Sequence, residues 1–148
     1  MIFQAAQLLV CGNAYLRGHL MQDQCYALLV EDEVLVAMVA TEALEELGFR
    51  VLEAASAARA LELAATHKDA IAVAMIDLGL PDRPGEELIR ELRTLYPALP
   101  IIIASGKGAG AIDASLKSLR KLAIITKPYD FGDLRAAIEL FAGDTSPV

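Results

Sequence analysis

The stretch "IAVAMIDLGLPD", residues 71 to 82, decides how the rest of the chain is read. Its first half is an unbroken apolar run, the pattern of a strand covered on both sheet faces, and it ends abruptly on the charged Asp77. Turn residues follow at once, with Gly79 and Pro81. A carboxylate is costly to bury without a partner. Asp77 is therefore either a turn or capping residue or a working group at an open rim.

Working outward, three more runs are short and continuously apolar: "YALLV" (26 to 30), "IIIA" (101 to 104) and "LAIIT" (122 to 126). The weaker "RVLEA" (50 to 54) reads as an edge strand. Helical periodicity fills the intervals. Val36, Val39, Ala43 and Leu47 line one helix that begins near Val34 and stops at Gly48; Ala57, Ala60, Leu61 and Ala64 line a second. Leu88, Leu92 and Leu95 mark a third, closed by Pro97; Ile112, Leu116 and Leu119 mark a fourth; Leu134, Ala137, Ile138 and Phe141 mark a fifth. Strand and helix alternate five times, which predicts an α/β domain with a parallel sheet, helices on both faces and right-handed crossovers.

At 148 residues the chain fits one domain with a full core. Hydrophobic residues make up 55%, with few aromatics and no Trp, as close-packed layers of helix on sheet require. The net charge of -7 opposes nucleic-acid binding through counterion release, so no direct nucleic-acid partner is expected. Cys11 and Cys25 lack metal-ligand spacing, and a reducing compartment is the default. No apolar run is long enough to span a bilayer, and the opening "MIFQAAQLLVC" lacks a basic leader region, so a cytoplasmic protein is expected. Residues 1–24 stand outside the alternation as an N-terminal extension, open between an extra helix, a homodimer contact and an upstream start. Residues 25–142 form the domain, and 143–148 a frayed tail.

In an open parallel sheet, ligands bind at the C-terminal ends of the strands. Glu31 and Asp32 follow the first strand, Asp77 the third, Ser105 the fourth, and Lys127 the fifth. Singly, each has a plain reading: Glu31 and Asp32 as caps of the next helix, Asp77 and Ser105 as turn residues, Lys127 as a solvated lysine. Those readings do not require all five to fall at one end of one sheet. Three clustered carboxylates repel unless a cation joins them, and oxygen-only donors suit Mg²⁺. With a lysine and a hydroxyl beside it, such a pocket is suited to holding a phosphoryl group in transfer.

The pieces "LLVEDE", "MIDLGLPDRPGEEL", "IIIASGKG" and "ITKPYD", in this order, make residues 25 to 142 resemble a receiver domain of the bacterial two-component response regulators. The resemblance implies a flavodoxin-like (βα)5 fold with strand order 2-1-3-4-5. It implies that Asp77 accepts a phosphoryl group from a histidine kinase or histidine phosphotransfer protein. Asp32, Asp77 and the Gly79 backbone carbonyl would ligate Mg²⁺, with Glu31 acting largely through metal-bound water. Lys127 would pair with the phosphoryl oxygens and Ser105 would hydrogen-bond one of them after transfer. In this family the bond from the lysine to Pro128 is usually cis. The domain would turn over only its own phosphoryl group, and would signal as a stand-alone receiver to an unknown protein target. The surface implied for that contact joins the fourth helix, fifth strand and fifth helix, with Lys117, Lys121 and Tyr129.

Three positions qualify what the resemblance implies. Ile124 stands where receivers usually carry a switch aromatic, which puts the hydroxyl-to-aromatic switch in question and points to the glycine-rich "SGKGAGA" loop instead. Gly79 and Lys107 flank the path of attacking water in this family. Gly79 has no side chain to orient water, so slow self-dephosphorylation is expected, and Lys107 is open to contact the phosphoryl group or a carboxylate. Rival readings are a receiver-like binding module that is not phosphorylated and a haloacid-dehalogenase-like phosphatase. The latter needs a second acid two residues after the nucleophile, where Gly79 stands. A nucleotide binder lacks both the dinucleotide fingerprint and a Walker lysine followed by Ser or Thr.

Overall fold

The computed structural model describes residues 25–107, 110 and 112–143. The extension 1–24 and residues 144–148 of the tail lie outside the described residues. Five strands, β1 (Tyr26–Val30), β2 (Arg50–Ala54), β3 (Ile71–Asp77), β4 (Ile101–Ser105) and β5 (Leu122–Thr126), alternate with five helices. These are α1 (Val34–Glu46), α2 (Ala57–His67), α3 (Gly85–Leu95), α4 (Ala114–Lys117) and α5 (Phe131–Gly143). All strand pairs are parallel, in the order β2-β1-β3-β4-β5.

The apolar runs are continuous because both faces are covered. Alternate residues feed two separate cores. Ala27, Leu29, Val73, Met75, Ile102 and Ala104 pack with Ala40 and Leu44 of α1, its C-cap Leu47, and Leu134, Ala137 and Ile138 of α5. Leu28, Val30, Ala74, Ile76, Ile101 and Ile103 pack with Ala57, Ala60 and Ala64 of α2, Leu88, Ile89 and Leu92 of α3, and Leu116 of α4. Small alanines on α2 let that helix lie close to the sheet.

Helix ends follow local chemistry. Gly48, at φ 98°, ends α1: its N–H donates to Glu45 O at 2.9 Å while Phe49 N–H donates to Leu44 O at 3.1 Å. Those two bonds are a Schellman closure, which a glycine in the left-handed region makes easily. Ser56 starts α2 by accepting the N–H of Arg59 at 3.2 Å.

Four expectations are corrected. The buried stripe of α1 is Ala40 and Leu44, running on to the C-cap Leu47, so the face is turned from the predicted Val36-Val39-Ala43 line, and Val39 is 59% exposed. Leu95 is likewise exposed, and Ile89 takes its place in the α3 stripe. The fourth helix is only four residues long: Ile112 is buried before it begins, Leu119 follows its end, and Lys121, at φ 54°, turns the chain into β5. A reducing compartment is the default for the two cysteines, whereas Cys25, the one among the described residues, is disulfide-bonded. The chain's other cysteine, Cys11, lies outside the described residues.

Candidate functional site

The sheet brings the five predicted residues to one rim. Register places Asp77 opposite Ala104 at the end of β3, and Ser105 opposite Thr126 at the end of β4. Lys127 N–H donates to Ser105 O at 2.9 Å, tying the ends of β4 and β5 together. Glu31 leaves β1 with its N–H on Ala54 O of β2 at 2.9 Å. Carboxylate oxygens of Glu31, Asp32 and Asp77 all lie within 4.8 Å of one another.

The Lys127 ammonium joins two of these acids, with Nζ 2.7 Å from Glu31 Oε1 and 3.1 Å from Asp77 Oδ1. Glu31, Asp77 and Ser105 are buried, and Asp32 is exposed. Burial pushes the Glu31 carboxyl above its ordinary value, against the pull of its Lys127 hydrogen bond. Burial also pulls the Lys127 ammonium down, but hydrogen bonds to Glu31 and Asp77, with their charges, outweigh it and leave the net shift upward. Tyr129 is pushed up to about 12, by burial first and by the Glu31 charge second.

Glu31 faces the rim and also serves the start of the next helix, although neither it nor Asp32 is the N-cap residue. Glu33 is the N-cap of α1 and makes no side-chain cap bond, while Glu31 Oε2 accepts the N–H of Glu33 at 3.2 Å. Ser105 Oγ accepts the N–H of Lys107 at 3.2 Å, and Lys107 is exposed. The Lys127–Pro128 bond is cis. A Cβ on Gly79 would stand 3.8 Å from Asp77 Oδ2, so the space beside the Asp77 carboxylate is open to a side chain there. Ile124 is half-buried against the core under α2, α3 and α4.

Two contacts made by the segment that follows Asp77 carried no assigned role in the sequence. Gly85, the first residue of α3, packs so closely that a Cβ would meet Leu78 Cα at 2.6 Å and Asp77 O at 2.8 Å. A glycine at a helix start, where a side chain is ordinarily welcome, was the available signal. Asp82 accepts the N–H groups of Ala57 and Ala58, 25 and 24 residues away. No local pattern signals that contact.

The donor set fits Mg²⁺: three carboxylates, no nitrogen or sulfur ligand, and one member exposed enough to keep water on a bound ion. Among the described residues no helix is long and apolar enough to cross a membrane.

Comparison with known proteins agrees with this geometry. The family model of the response regulator receiver domain matches residues 27–139. The KDP operon transcriptional regulatory protein KdpE of Escherichia coli is 36% identical over 76% of this chain and 49% of its own length. The sensor kinase CckA of Brucella abortus is 33% identical over 76% of this chain and 12% of its own. The chain thus spans about half or less of these relatives. A response regulator receiver domain protein from Clostridium thermocellum superposes with a TM-score of 0.71 at 27% identity, over 80% of this chain and 94% of that one. A CheY-like receiver domain from Methylobacillus flagellatus gives 0.70 at 29%, over 78% and 97%. The chain belongs to the response regulator receiver domains of two-component systems.

Proposed function

We propose that Asp77 is the phosphoacceptor of this receiver and that its phosphoryl group comes from a phosphohistidine on a kinase or phosphotransfer partner. A carboxylate oxygen of Asp77 forms the new bond to phosphorus as the P–N bond breaks, and the histidine nitrogen keeps the electron pair. The product is an acyl phosphate. Lys127 Nζ, already 3.1 Å from Asp77 Oδ1, pairs with the incoming phosphoryl oxygens. Ser105 Oγ accepts from Lys107 N–H and keeps its own proton for one of those oxygens. Asp32, Asp77 and the Gly79 carbonyl would hold Mg²⁺, with Glu31 acting largely through its bound water, and the ion would supply positive charge against the phosphoryl oxygens. The observation that carries this reading is one lysine bridging two buried carboxylates within a three-carboxylate cluster. Chemistry is confined to the domain's own acyl phosphate, formed and hydrolysed at Asp77.

The partner's approach has a surface to match. Val34, Leu35, Met38 and Val39 of α1 are all more than half exposed and begin two residues after Asp32. Four large apolar side chains beside a charged rim suit an apolar protein face carrying the donor histidine. Leu35→Ser with Met38→Ser should leave labelling by acetyl phosphate unchanged and slow labelling by a phosphohistidine protein. Equal rates from the protein donor would remove this face from the reading. Output contacts fall on the edge strand β5 and α5, where Leu140 is also exposed.

Incubation with Mg²⁺ and acetyl phosphate tests the centre of the proposal. An acid-stable, base-labile mass gain of one phosphoryl group is expected in the wild type and none in Asp77→Asn. An adduct that persists in Asp77→Asn overturns the assignment, a wild type that never gains one favours a binding module, and turnover of phosphate esters favours a phosphatase. The open space beside Gly79 adds a second measurement: Gly79→Asn places an amide next to Asp77 and should shorten the phosphoryl lifetime. A wild-type lifetime of seconds, unchanged in that variant, would sink the role given to Gly79.

A further inference from the structure

Asp82 sits in the loop that joins β3 to α3, residues 78–84. Its two carboxylate oxygens serve a different helix: Oδ1 accepts Ala57 N–H at 2.9 Å and Oδ2 accepts Ala58 N–H at 3.0 Å. These are the first two amides of α2, and Ser56 Oγ takes the Arg59 amide. Three N-terminal amides of α2 are therefore satisfied, two of them by a residue from another part of the chain.

Seen from the loop, the same bonds are a clamp. The loop is closed at its base, where Gly85 N–H donates to Leu78 O at 3.1 Å and its Cα lies too near Leu78 Cα and Asp77 O to admit a Cβ. Its outer part is tied by Asp82 to α2. Gly79 lies between these two attachments, beside Asp77 Oδ2.

We infer that Asp82 is a positioning residue for the phosphoryl-transfer site: by clamping residues 78–84 to the start of α2, it holds the Gly79 backbone in place for Mg²⁺. The inference rests on the phosphoacceptor reading of Asp77 and on the Gly79 carbonyl as a ligand. Ser56 caps only the Arg59 amide, so the Asp82 carboxylate both completes the start of α2 and ties the loop to it.

The test is the Mg²⁺ dissociation constant of the unphosphorylated full chain, titrated with MgCl₂ and followed at the backbone amide signals of residues 77 to 79. Asp82→Ala should weaken Mg²⁺ binding about tenfold, the scale on which residues that orient metal ligands act. Asp82→Asn keeps one acceptor oxygen and should fall between the two. Ser56→Ala removes a cap from the same helix without touching the loop, and its Mg²⁺ affinity should stay within about twofold of wild type. Labelling of Asp82→Ala by acetyl phosphate should be slow at limiting Mg²⁺ and recover at saturation. If circular dichroism shows Asp82→Ala unfolded, the Asp82→Asn titration decides. Unchanged affinity in the Asp82 variants, or an equal loss in Ser56→Ala, overturns the inference. A wild type that never accepts a phosphoryl group defeats the parent reading instead, and the titration distinguishes the two failures because it is read without phosphorylation.

Discussion

The loop from Asp77 to Gly85 and the segment from Ser105 to Asp113 both leave the site rim and both lead to a helix, but they are held differently. The first is fastened at its base by the Gly85 contact and farther out by Asp82 on α2. The second is glycine-rich, and a Cβ on Gly106 or on Gly110 would meet nothing within 4 Å. Its far end is anchored on the surface, where Arg90 of α3 reaches Asp113 and Ser115 at 3.0 and 2.9 Å. The helix it leads to has four residues, against eleven in α3. The loop after Asp77 is thus fastened at two points, while among the described residues on the Ser105 side Gly106 and Gly110 have open space beside them, so on the proposed function that is the side left free to rearrange around a phosphoryl group. With Ile124 in place of a switch aromatic, that room is where a conformational response is expected.

The largest predicted break in this contrast is Gly85→Ala. The added methyl meets backbone atoms, which move less readily than side-chain tips, so a loss of about 1–3 kcal/mol is expected in denaturant unfolding, with slower labelling because the Asp77 carbonyl must shift. An unchanged unfolding midpoint would mean that the loop is not tightly based.

The clamp also predicts a pH dependence. Hydrogen bonds from Ala57 and Ala58 N–H hold the Asp82 carboxyl below its ordinary 3.8. A lowered carboxyl contributes stability that is present above that ordinary value and is lost as pH falls through the folded one. Between about pH 5 and 3 the Tm of Asp82→Asn should therefore fall less steeply than that of wild type. Parallel curves would show the bonds to be too weak to matter. The Asp113 carboxyl is lowered in the same sense, chiefly by the Ser115 N–H, so the second segment adds to the acid response from its anchored end only.

The smallest effect falls on the open segment. Gly106→Ala meets nothing and should stabilise by about 0.4–1 kcal/mol through the unfolded chain. A loss as large as that of Gly85→Ala would abolish the distinction between the two loops.

Much of this arrangement was legible residue by residue. The five strands were visible because burial on both faces removes alternation and leaves short apolar runs, as at residues 71–76 and 101–104. The rim set was visible because strand ends in a parallel sheet converge, so Glu31, Asp32, Asp77, Ser105 and Lys127 needed only their positions after each run. The facing angle of α1 was not legible. Val34, Leu35, Val36, Met38 and Val39 put apolar groups on several sides of its first turns, and only packing on the sheet selects Ala40, Leu44 and Leu47. The length of α4 was hidden for a related reason: burial of Ile112 and Leu116 satisfies a helical spacing although only residues 114–117 are helical. Arg93, whose guanidinium gathers the carbonyls of Pro97, Leu99 and Lys121, holds the end of that segment from another helix.

By itself the sequence determined the layer architecture and the chemistry of the rim, because hydrophobic periodicity and the order of strand-end residues are local properties of the chain. Tertiary structure alone decided which carboxylate clamps which helix, how closely Gly85 approaches Asp77, and which side of the rim is fixed. Those are contacts between residues far apart in sequence or packed at atomic distance, and a linear pattern carries no record of either.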